Sequence, residues 1–207
     1  MRIGRTFFGV RLIYLRFKRA ARTVSNEFLA ELTTTVAGIE QRARELFGAL
    51  DAAQLNWTPW EDAWSVGQCL DHLVKANDPY FAIFRDVAAG THTKTFWEQI
   101  PIVPGICGSL VLNTVRPENT RKARAPRIFQ PGRSAVPTDV VDHFCAQQRK
   151  LAEAMASLDG IDLDNTIVTS PVARFITYSL RHALSIVVEH EKRHMNQAER
   201  VLRALGA

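Results

Sequence analysis

The 207-residue sequence predicts an all-α protein, a bundle of four main helices joined by long connections. Apolar residues recur every three or four positions in four separate stretches, which is the period of an amphipathic helix. No stretch alternates apolar and polar residues in the convincing way of a half-buried strand. With 46% hydrophobic and 23% charged residues, the composition is that of one ordinary globular domain, so these helices can bury a common core.

The net charge of +5 is concentrated at the amino terminus. Residues 1–23 contain seven Lys and Arg residues and no acid, which leaves the rest of the chain at −2. Because apolar residues are interleaved with these cations, the segment could lie on an anionic membrane surface as a basic amphipathic helix. The alternatives are a disordered or loosely docked extension and a targeting peptide. We therefore divide the chain into a basic extension, residues 1–24, and a helical domain, residues 25–207.

The first two main helices follow this extension. Residues 25–50 carry an apolar stripe and predict an amphipathic helix, followed by an ordered, tryptophan-rich connector. Residues 65–68 read SVGQ, which matches a capping box at the start of the second helix. Pro79 cannot donate a helical hydrogen bond, so we expect this helix to kink or restart there.

Residues 90–137 contain six prolines and predict a long surface excursion with one short helix, ICGSLVLNTV. The third main helix should begin with Thr138 as its N-cap and end at Gly160. The last helix is expected over residues 178–205. The excursion also carries an Arg-rich loop with one acid, Glu118, which is either a solvated loop or a site for an acidic ligand or a partner. The basic residues of this loop are Arg116, Arg121, Lys122, Arg124, Arg127 and Arg133.

Two histidines lie four residues apart on the last helix. A helix advances about 100° per residue, so His194 lies about 40° from His190 on one face. Val187 and Val201 share that face, which places both imidazoles within the apolar stripe. Buried imidazoles need hydrogen-bond partners or an ion. The pattern therefore indicates either hydrogen-bonded core histidines or part of a metal site.

His72 lies on a face of small and mixed side chains on the second helix, which suits a cavity wall. Three neutral imidazoles from two helices could hold Zn²⁺ or another borderline divalent ion and leave a coordination position open. The other histidines are weaker candidates. His92 should be exposed, His143 should lie beside the apolar stripe of its helix, and His182 could at most support the site from outside.

Residues 190–194 read HEKRH, which formally matches the H-E-x-x-H motif of zinc proteases with Glu191 as the general base. That motif needs a third ligand farther along the chain. The 13 residues after His194 contain no histidine and only one carboxylate, Glu199. No sheet is predicted before the helix either, so a protease is not expected.

Three widely spaced cysteines, Cys69, Cys107 and Cys145, argue against a disulfide framework and against a cysteine zinc knuckle. No run of about 18 apolar residues is present that would predict a membrane-spanning helix. We therefore expect a cytoplasmic protein. Nucleic acid is not expected as a partner, whereas residues 1–23 could contact a membrane surface.

The combination of motifs resembles the DinB-like superfamily. Residues 64–68, WSVGQ, followed by His72 are similar to the W-S-x-x-Q…H helix start of that family, and His190, His194 and Gln197 match its H-x-x-x-H-x-x-Q helix. The likeness covers residues 25–204. It implies a four-helix bundle, often a homodimer, in which a divalent ion (Zn, Ni, Mn or Fe) is held by His72, His190 and His194.

Relatives of this family include S-transferases that use bacillithiol or mycothiol. The resemblance therefore implies a metal-dependent transferase in which the ion lowers the pKa of a low-molecular-weight thiol and the thiolate attacks an electrophilic small molecule. The Arg-rich loop could hold the acidic part of that thiol. One alternative is a bundle that binds a metal or small ligand without turnover. Another is a structural bundle that uses residues 1–23 to contact a membrane or nucleic acid; neither a catalytic residue nor a thiol-binding residue is identified.

Overall fold

Helices dominate the structure, and the predicted all-α class is confirmed. The computed structural model describes residues 6–100, 103–119, 129–131 and 135–206. For residues 6–25, 103 and 104 it describes the backbone and not the side chains. The elements in chain order are α1 (Thr6–Phe47), α2 (Ala52–Asn56), α3 (Val66–Ala88), a 3₁₀ turn (Trp97–Gln99), α4 (Val103–Val115), α5 (Val140–Ala156), β1 (Ile167–Thr169), β2 (Thr177–Ser179) and α6 (Leu180–Leu205).

Four of the helices form the bundle. Both α1 and α3 pack against α5 and against α6, so α1 and α3 occupy opposite corners. The short helix α4 lies on the outside, against β2 and α6. No helix in the described part of the chain is long and apolar enough to span a bilayer.

The first helix begins earlier than the sequence predicts. It has 42 residues, which at 1.5 Å per residue makes it about 63 Å long. The 26 residues of α6 span about 39 Å on the same rise. Residues 1–5 and the side chains of residues 6–25 lie outside the described part, so the separation of residues 1–24 as an extension stays a prediction.

The core consists of two apolar clusters with a polar layer between them. One cluster centres on Val36, Phe84, Leu151 and Leu184, and the other surrounds Phe47, Leu70, Phe144 and Val201. Each main helix contributes to both clusters. Along α3, α5 and α6 the change from one cluster to the other occurs at buried polar residues, namely Asn77, Gln147, Gln148, Glu191 and His194.

The start of α3 confirms the predicted capping box. The backbone N–H of Gln68 donates to the Ser65 hydroxyl at 3.1 Å, and the N–H of Ser65 donates to the Gln68 side chain at 3.0 Å. A second capping box, not predicted, joins Asp51 and Gln54 at the start of α2. These side chains satisfy backbone donors that the first turn of a helix leaves free.

At two helix boundaries the structure differs from the expectation. Of the kink or restart expected at Pro79, the restart is wrong, because α3 continues to Ala88. Tyr80 and Phe84, beyond the proline, are buried in the core, and this packing outweighs the lost hydrogen bond. The N-cap of α5 is Asp139 rather than Thr138, and no side-chain hydrogen bond caps this helix.

A small antiparallel hairpin, which the sequence did not predict, precedes α6. Its strands β1 and β2 pair Val168 with Tyr178. The Tyr178 hydroxyl lies 2.8 Å from the hydroxyl of Tyr80 on α3, and both side chains are buried. Strands of three residues are too short to show a period of two, so the pattern was not recognisable.

Candidate metal centre

The structure brings His72, His190 and His194 together between α3 and α6. One ring nitrogen of each lies within 4.8 Å of those of the other two. The rings of His72 and His190 have centroids 5.0 Å apart, and the two other pairs are 4.5 Å and 4.6 Å apart. The capping box places His72 in the second turn of α3, and the four-residue spacing on α6 supplies the other two rings.

A backbone carbonyl fixes the tautomer of His72. Nδ1 of this ring lies 2.6 Å from the carbonyl oxygen of Phe129, which can only accept, so Nδ1 carries the proton and donates. The lone pair is therefore on Nε2, and this atom lies 3.1 Å from Nε2 of His190. Orientation of a ligating histidine by a carbonyl on its other nitrogen is a common feature of metal centres.

The donor set fits a divalent ion. Nitrogens about 2.1 Å from one ion are about 3.0 to 3.4 Å apart at octahedral to tetrahedral angles, which includes the observed 3.1 Å between the Nε2 atoms of His72 and His190. Nδ1 of His194 is buried and receives no hydrogen bond of normal geometry from the described residues, while the Gln197 side chain approaches this ring closely enough to raise its pKa. Unpaired nitrogens in a buried site are costly unless an ion or a water satisfies them.

The surroundings keep all three imidazoles neutral. Burial lowers the pKa of His72, although its hydrogen bond to Phe129 acts in the opposite direction. Burial and the two neighbouring rings hold the pKa of His190 well below its usual range. Burial, His72 and Arg193 lower the pKa of His194 to about 3. A neutral imidazole is the form that binds metals, so little competition from protons is expected at neutral pH.

Trp64 is a site residue that the helical-wheel argument missed. Its ring stacks on His194 at a centroid distance of 5.5 Å and an angle of 20°, and it lies 4.9 Å from the ring of His72. The available signal was its position directly before the cap of α3, within the motif that carries the family resemblance. The role of Phe129 was also missed, because nothing in the sequence of a proline-rich excursion indicates which backbone carbonyl will contact a histidine on α3.

Behind the triad, the carboxyl group of Glu191 is fully buried. Asn77 and Gln148 donate to its Oε1 at 2.7 and 2.6 Å. Burial raises the pKa of Glu191 to about 7, although these two hydrogen bonds oppose the shift. Oε2 of Glu191 and Oε1 of Gln148 both lack a partner in the described part, so a proton on the carboxyl group would supply a donor that the layer lacks.

The remaining histidines lie outside the triad. His182 contacts the Ser179 hydroxyl at 2.9 Å at the start of α6, and His143 is exposed. The expected exposure of His92 is wrong, because this ring is partly buried and contacts the buried carboxylate of Glu98 at 3.0 Å. In the Arg-rich loop only Arg116 and Glu118 belong to the described residues, and the other five basic side chains lie outside them.

A surface cavity of about 610 Å³ opens between α4 and α6. Arg116, Glu118, Ser185 and Glu189 are among its lining residues, so its wall includes the residue that precedes His190. Arg193 fixes the end of α4 beside this cavity, since its guanidinium donates to the carbonyls of Thr114, Arg116 and Asn119. The side chain of Arg193 therefore holds the C-terminus of α4 near the triad.

The fold and this site define a helical-bundle protein with a three-histidine group that could hold a metal ion. A sequence profile of the DinB superfamily matches residues 36–198. The chain therefore belongs to the DinB superfamily, as the motifs at Ser65, His72 and His190 suggested. No curated protein and no solved structure matched the chain.

Proposed function

We propose that the protein binds one divalent ion through His72, His190 and His194 and uses it to transfer a low-molecular-weight thiol to an electrophile. The observation that carries this proposal is the meeting of three neutral ring nitrogens, with the donor nitrogen of His72 oriented by the Phe129 carbonyl. Membership of the DinB superfamily supports the metal-binding part. The transferase part rests on the family resemblance.

A bound divalent ion would supply a Lewis acid that lowers the pKa of a coordinated thiol. The residues around the ion determine from which side a thiol could reach it. His72 and His194 are almost fully buried, with 2% and 9% exposure, whereas His190 is only partly buried. Trp64 covers one side of His194. Access for a small molecule is therefore expected from the side of His190.

The proposed reaction forms a carbon–sulfur bond and breaks the bond between that carbon and its leaving group. The thiol proton and the leaving group depart together as an acid, so no oxidant or reductant is needed. The Arg-rich loop is proposed to hold acidic groups of the thiol. Arg116 is the one basic residue of this loop in the described part of the chain. Its position in the lining of the cavity between α4 and α6 is consistent with that role.

The test is a thiol-transfer assay with metal-loaded protein. Bacillithiol, mycothiol and glutathione are each combined with chlorobimane, whose thioether product fluoresces. We expect turnover with at least one thiol. The His194→Ala variant should lose this activity. The His143→Ala variant should retain it, because His143 is an exposed histidine outside the site. If the metal-loaded protein turns over none of these thiols, the result favours a protein that binds a metal or small ligand without turnover.

The alternative is a protein that captures a metal or small ligand without turnover. The deep burial of His72 and His194 favours this function, since it leaves only the side of His190 for the approach of a substrate. It predicts stoichiometric metal with no thiol transfer. Calorimetric titration of thiols into the loaded protein would then show binding without product.

Three further proposals concern the setting of the protein. A homodimer is proposed from the family resemblance, and analytical ultracentrifugation tests it. A cytoplasmic location is proposed because Cys69, Cys107 and Cys145 are all free thiols. Contact of residues 1–23 with an anionic membrane is proposed from their seven cations, and a loss of vesicle binding on deleting them is the expected result.

A further inference from the structure

Four of the seven large exposed apolar side chains in the described part of the chain lie in two neighbouring loops. Phe96 is 71% exposed and Phe175 62%, and Trp97 and Val172 are also accessible. Phe96 and Trp97 lie between α3 and α4, and the other two lie in the loop of the β1–β2 hairpin. Two exposed residues of α4, Ile106 and Leu110, follow in the chain, and the one other large exposed apolar side chain in the described part is Trp60.

A buried carboxylate ties the two loops together. Glu98 accepts from the Thr169 hydroxyl of β1 at 2.6 Å and from the backbone N–H of Thr95 at 3.1 Å. The hydroxyls of Thr95 and Thr169 lie 3.0 Å apart. The exposed rings of Phe96 and Trp97 are therefore held beside the hairpin on a structured base, with their ring centroids 5.5 Å apart.

The exposed charged residues within these two loops are both cations. Lys94 is exposed two residues before Phe96, and Arg174 is exposed between Val172 and Phe175. Residues 91–115 contain one acid, Glu98, which is buried, and residues 165–180 contain none. We call the group formed by Lys94, Phe96, Trp97, Val172, Arg174 and Phe175 the Trp97 surface.

We propose that the Trp97 surface docks on an anionic lipid membrane. Tryptophan and phenylalanine partition into the boundary between headgroups and acyl chains, and neighbouring cations attract anionic lipids. This surface belongs to the folded domain and is separate in sequence from the basic residues 1–23. Together the two regions provide the two weak signals that stable attachment to a membrane requires.

The charge pattern argues against a second copy of the chain as the occupant. In a two-fold symmetric interface, a surface meets the same surface of its partner. Lys94 and Arg174 of both copies would then be enclosed in an interface to which the six residues of the Trp97 surface supply no acid. An anionic bilayer supplies the opposite charge, whereas the Trp97 surface of a second copy does not.

The test is sedimentation of the full-length protein with vesicles of phosphatidylcholine alone and with vesicles containing phosphatidylserine in equal parts. Two variants address the surface independently: Phe96→Ser with Phe175→Ser, and Lys94→Glu with Arg174→Glu. Their matched controls are Trp60→Ser, an exposed aromatic residue elsewhere, and Lys150→Glu, an exposed lysine on α5. Residues 1–23 stay intact, so their contribution is constant.

The parent protein and both controls should prefer the vesicles with phosphatidylserine. Each cation near such a surface contributes about 1 kcal/mol, so reversing two charges should lower the partition coefficient about tenfold or more. The serine variant should lose a comparable factor. The proposal would be overturned if both variants partitioned as the parent protein does. It would also be overturned if the variants changed from dimer to monomer in sedimentation velocity without a change in vesicle binding. Equal binding of the parent protein to both vesicle types would also overturn it.

Discussion

Among single residues, Glu191 departs most from what its place in the sequence indicates. It stands within a formal protease motif, yet its carboxyl group points into the bundle and is hydrogen-bonded to Asn77 and Gln148. A general base must reach a substrate or a water beside the metal. A fully buried carboxyl group held by two amides is instead a structural group.

The pH dependence of stability tests this assignment. Because burial raises the pKa of Glu191 from 4.5 to about 7, the neutral acid stabilises the fold below about pH 4.5, and this contribution is lost as the pH rises through 7. Glu191→Gln removes the titration and adds an N–H donor to the buried polar layer. We expect the variant to gain stability over the parent between about pH 5 and pH 8, by up to about 3 kcal/mol.

Urea unfolding of metal-free protein at several pH values measures this gain. The control is Glu189→Gln, whose partly buried carboxylate pairs with Lys192 at 2.8 Å and whose loss should cost less than about 1 kcal/mol. A gain from Glu191→Gln that does not grow with pH would show that Glu191 is charged in the folded protein.

Among the secondary-structure elements, α3 depends on its cap for the position of His72. Ser65→Ala removes one hydrogen bond of the capping box and should cost about 1 kcal/mol of stability. Since His72 lies in the second turn after Ser65, the variant should also bind metal more weakly. Chemical denaturation and competition with a chelator measure the two effects.

The chain contains a matched control in the capping box of α2. Asp51→Ala breaks the same kind of hydrogen bond, at 2.9 Å to the N–H of Gln54, in a helix that carries no histidine. It should lower stability without changing metal affinity. Equal effects of both variants on metal affinity would mean that the cap of α3 does not position His72.

Close packing at Gly108 fixes α4 against α6. A Cβ atom added at this position would lie 2.7 Å from the ring of His182 and 3.0 Å from Cβ of Tyr178. Gly108→Ala should therefore force α4 away and cost about 1 to 3 kcal/mol. Gly105 lies on the same helix with open space around it, so Gly105→Ala should be neutral or slightly stabilising. Thermal unfolding of both variants decides this, and equal melting temperatures would contradict the packing argument.

The same elements show what sequence reasoning can reach. The spacing of His190 and His194 and the box at Ser65 and Gln68 are local, since helical geometry relates residues that are close in the chain. The continuation of α3 past Pro79 and the carbonyl of Phe129 on His72 depend on tertiary packing. No local pattern encodes a contact between residues 57 positions apart.

In the whole molecule, the polar layer divides the core into two apolar clusters. Hydrogen bonds of 2.6 and 2.7 Å join α3 and α5 to Glu191 of α6, and such short contacts require one axial alignment of the three helices. The same alignment sets the height of His72 opposite His190. Buried polar groups lower stability when they are unpaired. Here they are largely paired, and their hydrogen bonds set the relative positions of the helices that carry the metal centre.

The all-α bundle followed from composition and periodicity, whereas the layered core did not. Gln148 lies three or four residues from Phe144, Cys145 and Leu151 on the same helix, and this spacing indicates a buried position but not its partner. Asn77 and Glu191 carried no such signal. Their meeting is a property of the assembled bundle, because each lies on a different helix.

Metal content measures the central claim most directly. Protein purified without a histidine tag and without added metal should contain one divalent ion per chain by elemental analysis. His72→Ala, His190→Ala and His194→Ala should each lose it, while His143→Ala, an exposed histidine outside the triad, should retain it. Stoichiometric metal in a folded His194→Ala variant, or none in the parent protein after exposure to Zn²⁺, Ni²⁺, Mn²⁺ and Fe²⁺, would contradict the account.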